Sequence, residues 1–232
     1  MNSAIPQQAA DGGLRLLDLL LGTVALALLV LLLPLLALAI RLDSRGSIFF
    51  RQARLGQHGR VFHVVKFRTM VSDAPPIFNA DGSRFVGKID ARVTRVGRFL
   101  RLGLDELPQV FNVFRGEMSF IGPRPDDVHA LQNYQGAEWL KLADRPGLTG
   151  LAQVCGRNDI PWRERIRYDI YYHYRRNLAL DLQIVLRTIA LLLKIGIQRP
   201  LVTPAQVDEL LARPDAAADG LAMQQQVEAA QR

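Results

Sequence analysis

Asp105 and Glu106 stand side by side in "LGLDELPQVFNVFRGEMSFIGPRP", the stretch from Leu102 to Pro125. Apolar Leu107, Val110, Phe111 and Phe114 follow at helical spacing and predict a helix over 107–115, which Gly116 stops. Acids just ahead of a first turn meet free N–H groups and the positive end of the helix dipole. Both carboxyls are therefore expected to stay ionised at neutral pH. An ionised aspartate can attack phosphorus as a nucleophile. An ionised glutamate is a hard oxygen ligand suited to Mg²⁺, which takes one or two carboxylates and completes its shell from substrate phosphates. Acids at helix starts are also common caps, and the pair taken alone reads as a cap.

Arg124 shifts the balance. It lies between Pro123 and Pro125, whose rings fix the backbone on both sides, so its planar fork can meet a phosphate at little ordering cost. "KFRTM" brings Lys66 and Arg68 to the end of an expected strand, two residues apart and so on one side of it. Arg145-Pro146-Gly147 offers a second proline-held arginine. Two acids for nucleophile and metal, inside a basic surround, suit phosphoryl transfer, where positioning and charge neutralisation supply most of the catalysis.

These residues must be held by elements of a 232-residue chain, enough for one core or one domain plus an anchor. The single cysteine, Cys155, excludes an internal disulfide and a cysteine zinc site. His58, His63, His129 and His173 have no paired metal spacing. A formal charge of +7 implies an anionic partner: nucleic acid, acidic lipid or a phosphorylated substrate. No helix-turn-helix, zinc-finger or RNA-binding aromatic motif is present in the sequence, so no nucleic-acid partner is expected.

From Leu19 to Ile40 the chain carries no charge, and as a straight helix this run would reach about 33 Å, enough to span a bilayer. Ala37-Leu38-Ala39 mimics a signal-peptide cleavage site, but the run is too long and Arg41, Arg45, Arg51 and Arg54 follow at once. A spanning helix and a helix that breaks at Pro34 and re-enters the same face are the two readings that remain; in both, the arginines keep the rest of the chain cytoplasmic.

Residues 47–69 predict a hairpin with its turn at Gly56-Gln57-His58-Gly59, and 72–91 a loop. Arg92, Arg95, Arg98 and Arg101 recur every third residue and form one drifting basic stripe, either a solvated face or an anion-binding one. A helix is expected near 127–143 and another over 161–177. Leu180–Ile197 is very apolar, with Arg187 and Lys194 on one face, and suits a helix in the membrane interface or in the core. Thr203-Pro204-Ala205-Gln206 is a capping-box pattern that opens a short helix ended by Pro214.

Five segments, "KFRTM", "ARVTRVGRFLR", "LDELPQVFNVFRGEMSFIGPRP", "RPGLTGLAQVCGRN" and "YDIYYHYRRNLALDLQIVLRT", occur in this order. Together they closely resemble the bacterial sugar transferase family, the monotopic phosphoglycosyl transferases, over roughly Leu14 to Ile197. The resemblance implies an α+β, mostly helical fold: an N-terminal re-entrant membrane helix, a small β-hairpin, and interfacial amphipathic helices around a cytoplasmic catalytic core. It implies a re-entrant helix broken at Pro34 (14–41) and a catalytic domain (42–200); the polar residues before that helix read as a flexible lead-in (1–13), and the Ala/Gln-rich end as a short helix with a mobile tail (201–232).

The implied reaction moves a phospho-sugar from a UDP-sugar to polyprenyl phosphate at the cytoplasmic face of the bacterial inner membrane, and so initiates a membrane glycoconjugate. By the same resemblance Asp105 is the nucleophile, Glu106 a Mg²⁺ ligand and Arg124 a phosphate-binding residue. Lys66, Arg68, Arg101, Arg145 and Asp169 are further candidates. Relatives often carry serine where Gly103 stands and asparagine where Cys155 stands. The rival reading is a membrane-anchored module that docks acidic lipid or a glycan-assembly partner without chemistry; Asp105, Glu106 and Arg124 together favour the enzyme.

Overall fold

Residues from Gln7 to Asp43 form one helix, α1, in the computed structural model, which describes residues 7–75, 77, 90–156, 160–195 and 200–231. Two stripes divide its surface. Asp18, Gly22, Leu29, Leu36 and Ile40 are buried, while Leu16, Leu20, Val24, Leu28, Leu31, Leu35, Leu38 and Leu42 are exposed. That spacing is the helical period, here with apolar residues on both faces. Pro34 lies within the helix on the exposed side and does not end it; its missing N–H removes one rung from a 37-residue ladder. The helix also begins at Gln7, so the lead-in expected over 1–13 is helical from that residue on.

The buried stripe is tied to the rest of the chain at both ends. Arg15 donates through Nη1 to the Val113 carbonyl (2.8 Å) and through Nη2 to that of Phe114 (3.1 Å). Asp18 Oδ1 accepts from the Ser119 hydroxyl and the Phe120 N–H, both at 2.7 Å. At the other end Asp43 Oδ2 accepts from the Val96 N–H at 2.7 Å. Between them Leu29, Leu36 and Ile40 pack with Phe67, Leu100 and Val110.

The expected hairpin is present: β1 (Phe49–Leu55) pairs antiparallel with β2 (Val61–Phe67) around Gly56–Gly59. The loop expected over 72–91 lies largely outside the described residues. Helix α2 (Arg95–Leu100) follows, capped by Thr94, whose hydroxyl accepts from the Gly97 N–H at 2.9 Å. A 3₁₀ helix, Leu104–Gln109, then carries the acids and runs into α3 (Val110–Phe114). Gly116, at φ +77°, stops α3 as expected.

Two short strands, β3 (Ser119–Ile121) and β4 (Gly147–Thr149), pair in parallel and were not legible as strands. The helix expected near 127–143 is instead two 3₁₀ helices, Val128–Asn133 and Gly136–Leu142, parted where Tyr134 and Gln135 are extended and Gly136 takes φ +49°. Helices α4 (Leu151–Cys155), α5 (Trp162–Arg175) and α6 (Leu178–Leu192) complete the body of the chain before residue 200. Asn177 caps α6, accepting from the Leu180 N–H at 3.0 Å.

The capping box of Thr203 and Gln206 opens α7 (Pro204–Leu211) as the sequence predicts. The mobile tail does not follow. Residues Pro214–Gln231 form α8, with Ala216, Gly220 and Val227 buried on one face. Val227 packs with Leu55, Trp139, Leu142, Ile166 and Ile170, so the tail closes part of the core.

Candidate active site

Glu106 is held by two cations on one oxygen. Lys66 Nζ lies 2.7 Å from Glu106 Oε1, and Arg124 Nη2 lies 3.0 Å from the same atom. Oε2 takes no hydrogen bond from any described residue. Burial alone would push Glu106 up, but the charges of Arg124 and Lys66 outweigh it and hold the carboxyl down at about 2. Asp105 is treated differently. It has no hydrogen bond or ion pair among the described residues, and burial together with the Glu106 charge raises it to about 6. The sequence reading expected two carboxyls stabilised alike by a helix start. Six residues of 3₁₀ helix supply too little dipole for that, and the local cations divide the pair.

Each member is positioned by its own element. Lys66 comes from β2. The buried Asn112 of α3 ties that strand to the acids' helix: its Nδ2 donates to the His63 carbonyl (2.8 Å) and its Oδ1 accepts from the Val65 N–H (3.3 Å). Gly103, at φ +123°, makes the turn that delivers Leu104 and Asp105, a conformation that explains glycine at this place. Arg124 sits on a loop pinned at both sides. The Gly122 N–H donates to the Thr149 carbonyl (2.9 Å), the Gly147 N–H to the Pro123 carbonyl (2.8 Å), and the Leu55 N–H to the Asp126 carbonyl (2.9 Å). Gly122 allows this crossing, since a Cβ there would meet the Arg145 carbonyl at 2.4 Å.

Directly after the loop, Asp126 enters the core. Its Oδ2 accepts from the Tyr134 hydroxyl and faces Lys141 Nζ, both at 2.7 Å, and Lys141 also lies 3.3 Å from Asp169 Oδ2. Lys141 and Asp169 are buried. Burial, with the Asp126 charge adding to it, raises Asp169 to about 7 despite Lys141. This network, together with Asn112, was missed in the sequence. Lys141 within "WLKLAD" and Asp126 next to "GPRP" were the available signals: charged residues inside apolar or constrained chain.

The remaining candidates divide. Arg101 stays near the site: its Nε donates to Thr69 Oγ1 at 3.2 Å, and its charge acts on Asp105. Arg68 does not reach it. The strand ends at Phe67, and Arg68 turns away to the carbonyls of Ser44 (2.7 Å) and Arg45 and to Ser72 Oγ (2.9 Å), where it holds the chain leaving α1. Asp169, buried against Lys141, is a core residue and not a phosphate contact. Arg145 is exposed and lines a separate polar cavity with Arg15, Asp18, Asp144, Tyr172 and Arg176.

A clamped glutamate beside an aspartate without a described partner, with Lys66, Arg101 and Arg124 near it, is an arrangement suited to an anionic ligand. The profile of the family described as "Bacterial sugar transferase" matches residues 11–195. The exopolysaccharide production protein ExoY of Sinorhizobium fredii is 39% identical over 203 residues, 80% of this chain and 90% of that protein. The UDP-glucose:undecaprenyl-phosphate glucose-1-phosphate transferase of Caulobacter vibrioides is 43% identical over 202 residues, 82% of this chain and 73% of that protein. The undecaprenyl-phosphate glucose phosphotransferase of Komagataeibacter xylinus is 42% identical over 190 residues, 75% of this chain but 35% of that longer protein. The chain belongs to the bacterial sugar transferase family. It is an enzyme, a phosphoglycosyl transferase.

Proposed function

We infer that this enzyme transfers a phospho-sugar from a UDP-sugar to polyprenyl phosphate through a covalent intermediate on Asp105. The observation that carries this reading is the division of the acid pair: Glu106 is neutralised by Lys66 and Arg124, while Asp105 is left unpaired beside it. In the first step an Asp105 oxygen bonds to the β-phosphorus, the bond from that phosphorus to the bridging oxygen breaks, and UMP leaves with the electron pair. In the second, an oxygen of the lipid phosphate attacks the same phosphorus. Asp105 leaves as a carboxylate and a pyrophosphate link to the sugar remains on the lipid. With its carboxyl raised to about 6, Asp105 is mostly ionised at neutral pH and needs no separate base. Arg124 and Lys66 draw the donor's phosphates toward it, and Arg101, held by Thr69, adds positive charge near Asp105.

The donor set also suits Mg²⁺. Among the described residues Glu106 Oε2 and the Asp105 carboxylate are hard oxygens without a hydrogen-bond partner, and no group of three or more His, Cys, Asp or Glu able to cage a metal occurs. That fits an ion held by one or two carboxylates and completed by substrate oxygens. When bound there, Mg²⁺ would neutralise charge on the pyrophosphate.

The membrane reading rests on α1 and α6. Both ends of α1 are tied to one catalytic body, although Arg15 and Asp43 are about 42 Å apart along the helix. A helix fastened along its length to a polar domain is ill-suited to cross a bilayer alone, whereas its exposed leucines suit burial from one side. Leu178, Leu182, Leu186 and Ile189 give α6 a similar exposed apolar stripe. These features support a chain held in the cytoplasmic leaflet from one face, with Asp105 cytoplasmic, and a product that initiates a membrane glycoconjugate.

Mass spectrometry tests the chemistry. Purified protein incubated with UDP-glucose or UDP-galactose and Mg²⁺, without lipid acceptor, is expected to gain one phospho-sugar on the peptide containing Asp105. Asp105→Asn is expected to lose both adduct and turnover; full turnover in that variant would remove Asp105 from the mechanism.

A further inference from the structure

The drifting stripe of Arg92, Arg95, Arg98 and Arg101 splits in three dimensions. Arg92 pairs with Asp90 (2.7 Å) and donates to the Pro75 carbonyl (2.6 Å). Arg101 turns inward to Thr69. Arg95 and Arg98 stay exposed, and neither side chain has a hydrogen bond or ion pair to a described residue. The acid whose field they share, Asp43, is occupied by the Val96 N–H.

Phe99 and Leu102 interrupt these cations and are 55% and 60% exposed, too much for core residues. The next residue, Gly103, adjoins the end of α6, since a Cβ there would lie 3.0 Å from Leu192 Cδ2. Leu192 is itself exposed, and Lys194, just beyond, is an exposed cation without a described partner. The result is one surface in which Arg95, Arg98 and Lys194 alternate with Phe99, Leu102 and Leu192. A small soluble anion is held by convergent donors, but these cations sit on two elements with apolar side chains between them. Cations that reach headgroups while neighbouring apolar side chains enter the acyl boundary are the mark of an interfacial segment on an acidic membrane.

We propose that the outer face of α2 and the end of α6 form a docking patch for anionic phospholipid headgroups. The patch rests on the membrane reading above and adds lipid selectivity to it. It reaches along the chain to Leu102, three residues before Asp105, so docking sets how the reactive loop meets the bilayer.

The test uses the full chain in lipid nanodiscs, in a Cys155→Ser background, with an environment-sensitive fluorophore on Leu102→Cys. Discs of phosphatidylcholine alone are compared with discs in which a third of the lipid is phosphatidylglycerol. A blue shift is expected only with phosphatidylglycerol and is expected to reverse in high salt. Arg95→Gln, Arg98→Gln and Lys194→Gln combined are expected to abolish it, each cation contributing about fivefold to the local affinity. UMP release in detergent is expected to be unchanged in the triple variant. Equal emission in both lipids, or an unaltered shift in that variant, would overturn the proposal. So would the same shift in phosphatidylcholine discs with inorganic phosphate, which would assign the patch to a free anion, or with polyglutamate, which would assign it to an acidic protein. A second fluorophore, on Leu31→Cys in α1, separates the two readings: it is expected to report lipid in both discs, and a water-exposed signal there would overturn the membrane reading itself.

Discussion

Two ion clusters in this chain have the same ingredients in opposite proportion. At the active site Lys66 and Arg124 share one oxygen of Glu106, and the adjacent Asp105 is left over. In the core Asp126 and Asp169 share Lys141, and the Tyr134 hydroxyl donates a further bond to Asp126. The core cluster is closed and holds the Arg124 loop from behind. The candidate catalytic cluster is open: Arg124 keeps 42% of its side chain exposed, and Asp105 has no hydrogen bond or ion pair among the described residues. An ion cluster with an unpaired, half-buried member is equipped for a ligand; one whose acids converge on a single buried lysine inside the core serves position.

Breaking each cluster should therefore have different consequences. Lys141→Met leaves the buried Asp169 and the half-buried Asp126 without their cation, and removal of one partner from a buried ion group costs about 3–5 kcal/mol. In a protein of this size that lowers the melting temperature by roughly 10 °C. Lys66→Met, by contrast, leaves Glu106 paired with Arg124 and is expected to move melting far less while depressing turnover. Thermal unfolding of the two variants in the same detergent decides; equal melting temperatures would erase the distinction between the clusters.

A smaller effect is expected from Arg124→Lys. The charge remains but the planar fork is lost, and charge-assisted hydrogen bonds worth about 1.5–3 kcal/mol predict a fall of ~10-fold or more in kcat/KM. A rate near that of the parent enzyme would make Arg124 a diffuse charge. The smallest effect is a displaced pH profile. The Asp105 carboxyl is raised to about 6 by burial and then by Glu106, so kcat/KM is expected to fall below that pH as the proposed nucleophile is protonated. Glu106→Gln removes the second cause and not the first. The midpoint should move to lower pH. A midpoint that stays in place or rises would show that Glu106 does not act on Asp105 electrostatically.

What the sequence disclosed was chiefly local. Asp105, Glu106 and Arg124 lie within one short stretch whose residue types carry their own argument, and the turn at Gly56–Gly59 and the Thr203 box are equally self-contained. Errors came where a partner lies far along the chain. Arg68 was grouped with Lys66 by strand alternation, but the strand ends between them and the carbonyls after α1 claim Arg68. Asp169 was grouped with the phosphate ligands, but Lys141, on another element, takes it into the core. The tail was read as mobile because its alanines and glutamines carry little apolar signal. Val227 and the close approach of Gly220 to Gly136 are enough to seat it.

The contacts of α1 also set an order of assembly. Arg15 waits for carbonyls 98 and 99 residues downstream, and Asp18 for Ser119, 101 residues later. During synthesis, at about 5–20 residues per second, the apolar helix therefore leaves the ribosome several seconds before the surfaces that receive its buried stripe. In that interval the leucines on both sides of the helix have no protein to cover them. Lipid is the available solvent, so the catalytic body is expected to condense onto a helix already resting in the membrane, with the bilayer serving as the first template of the fold.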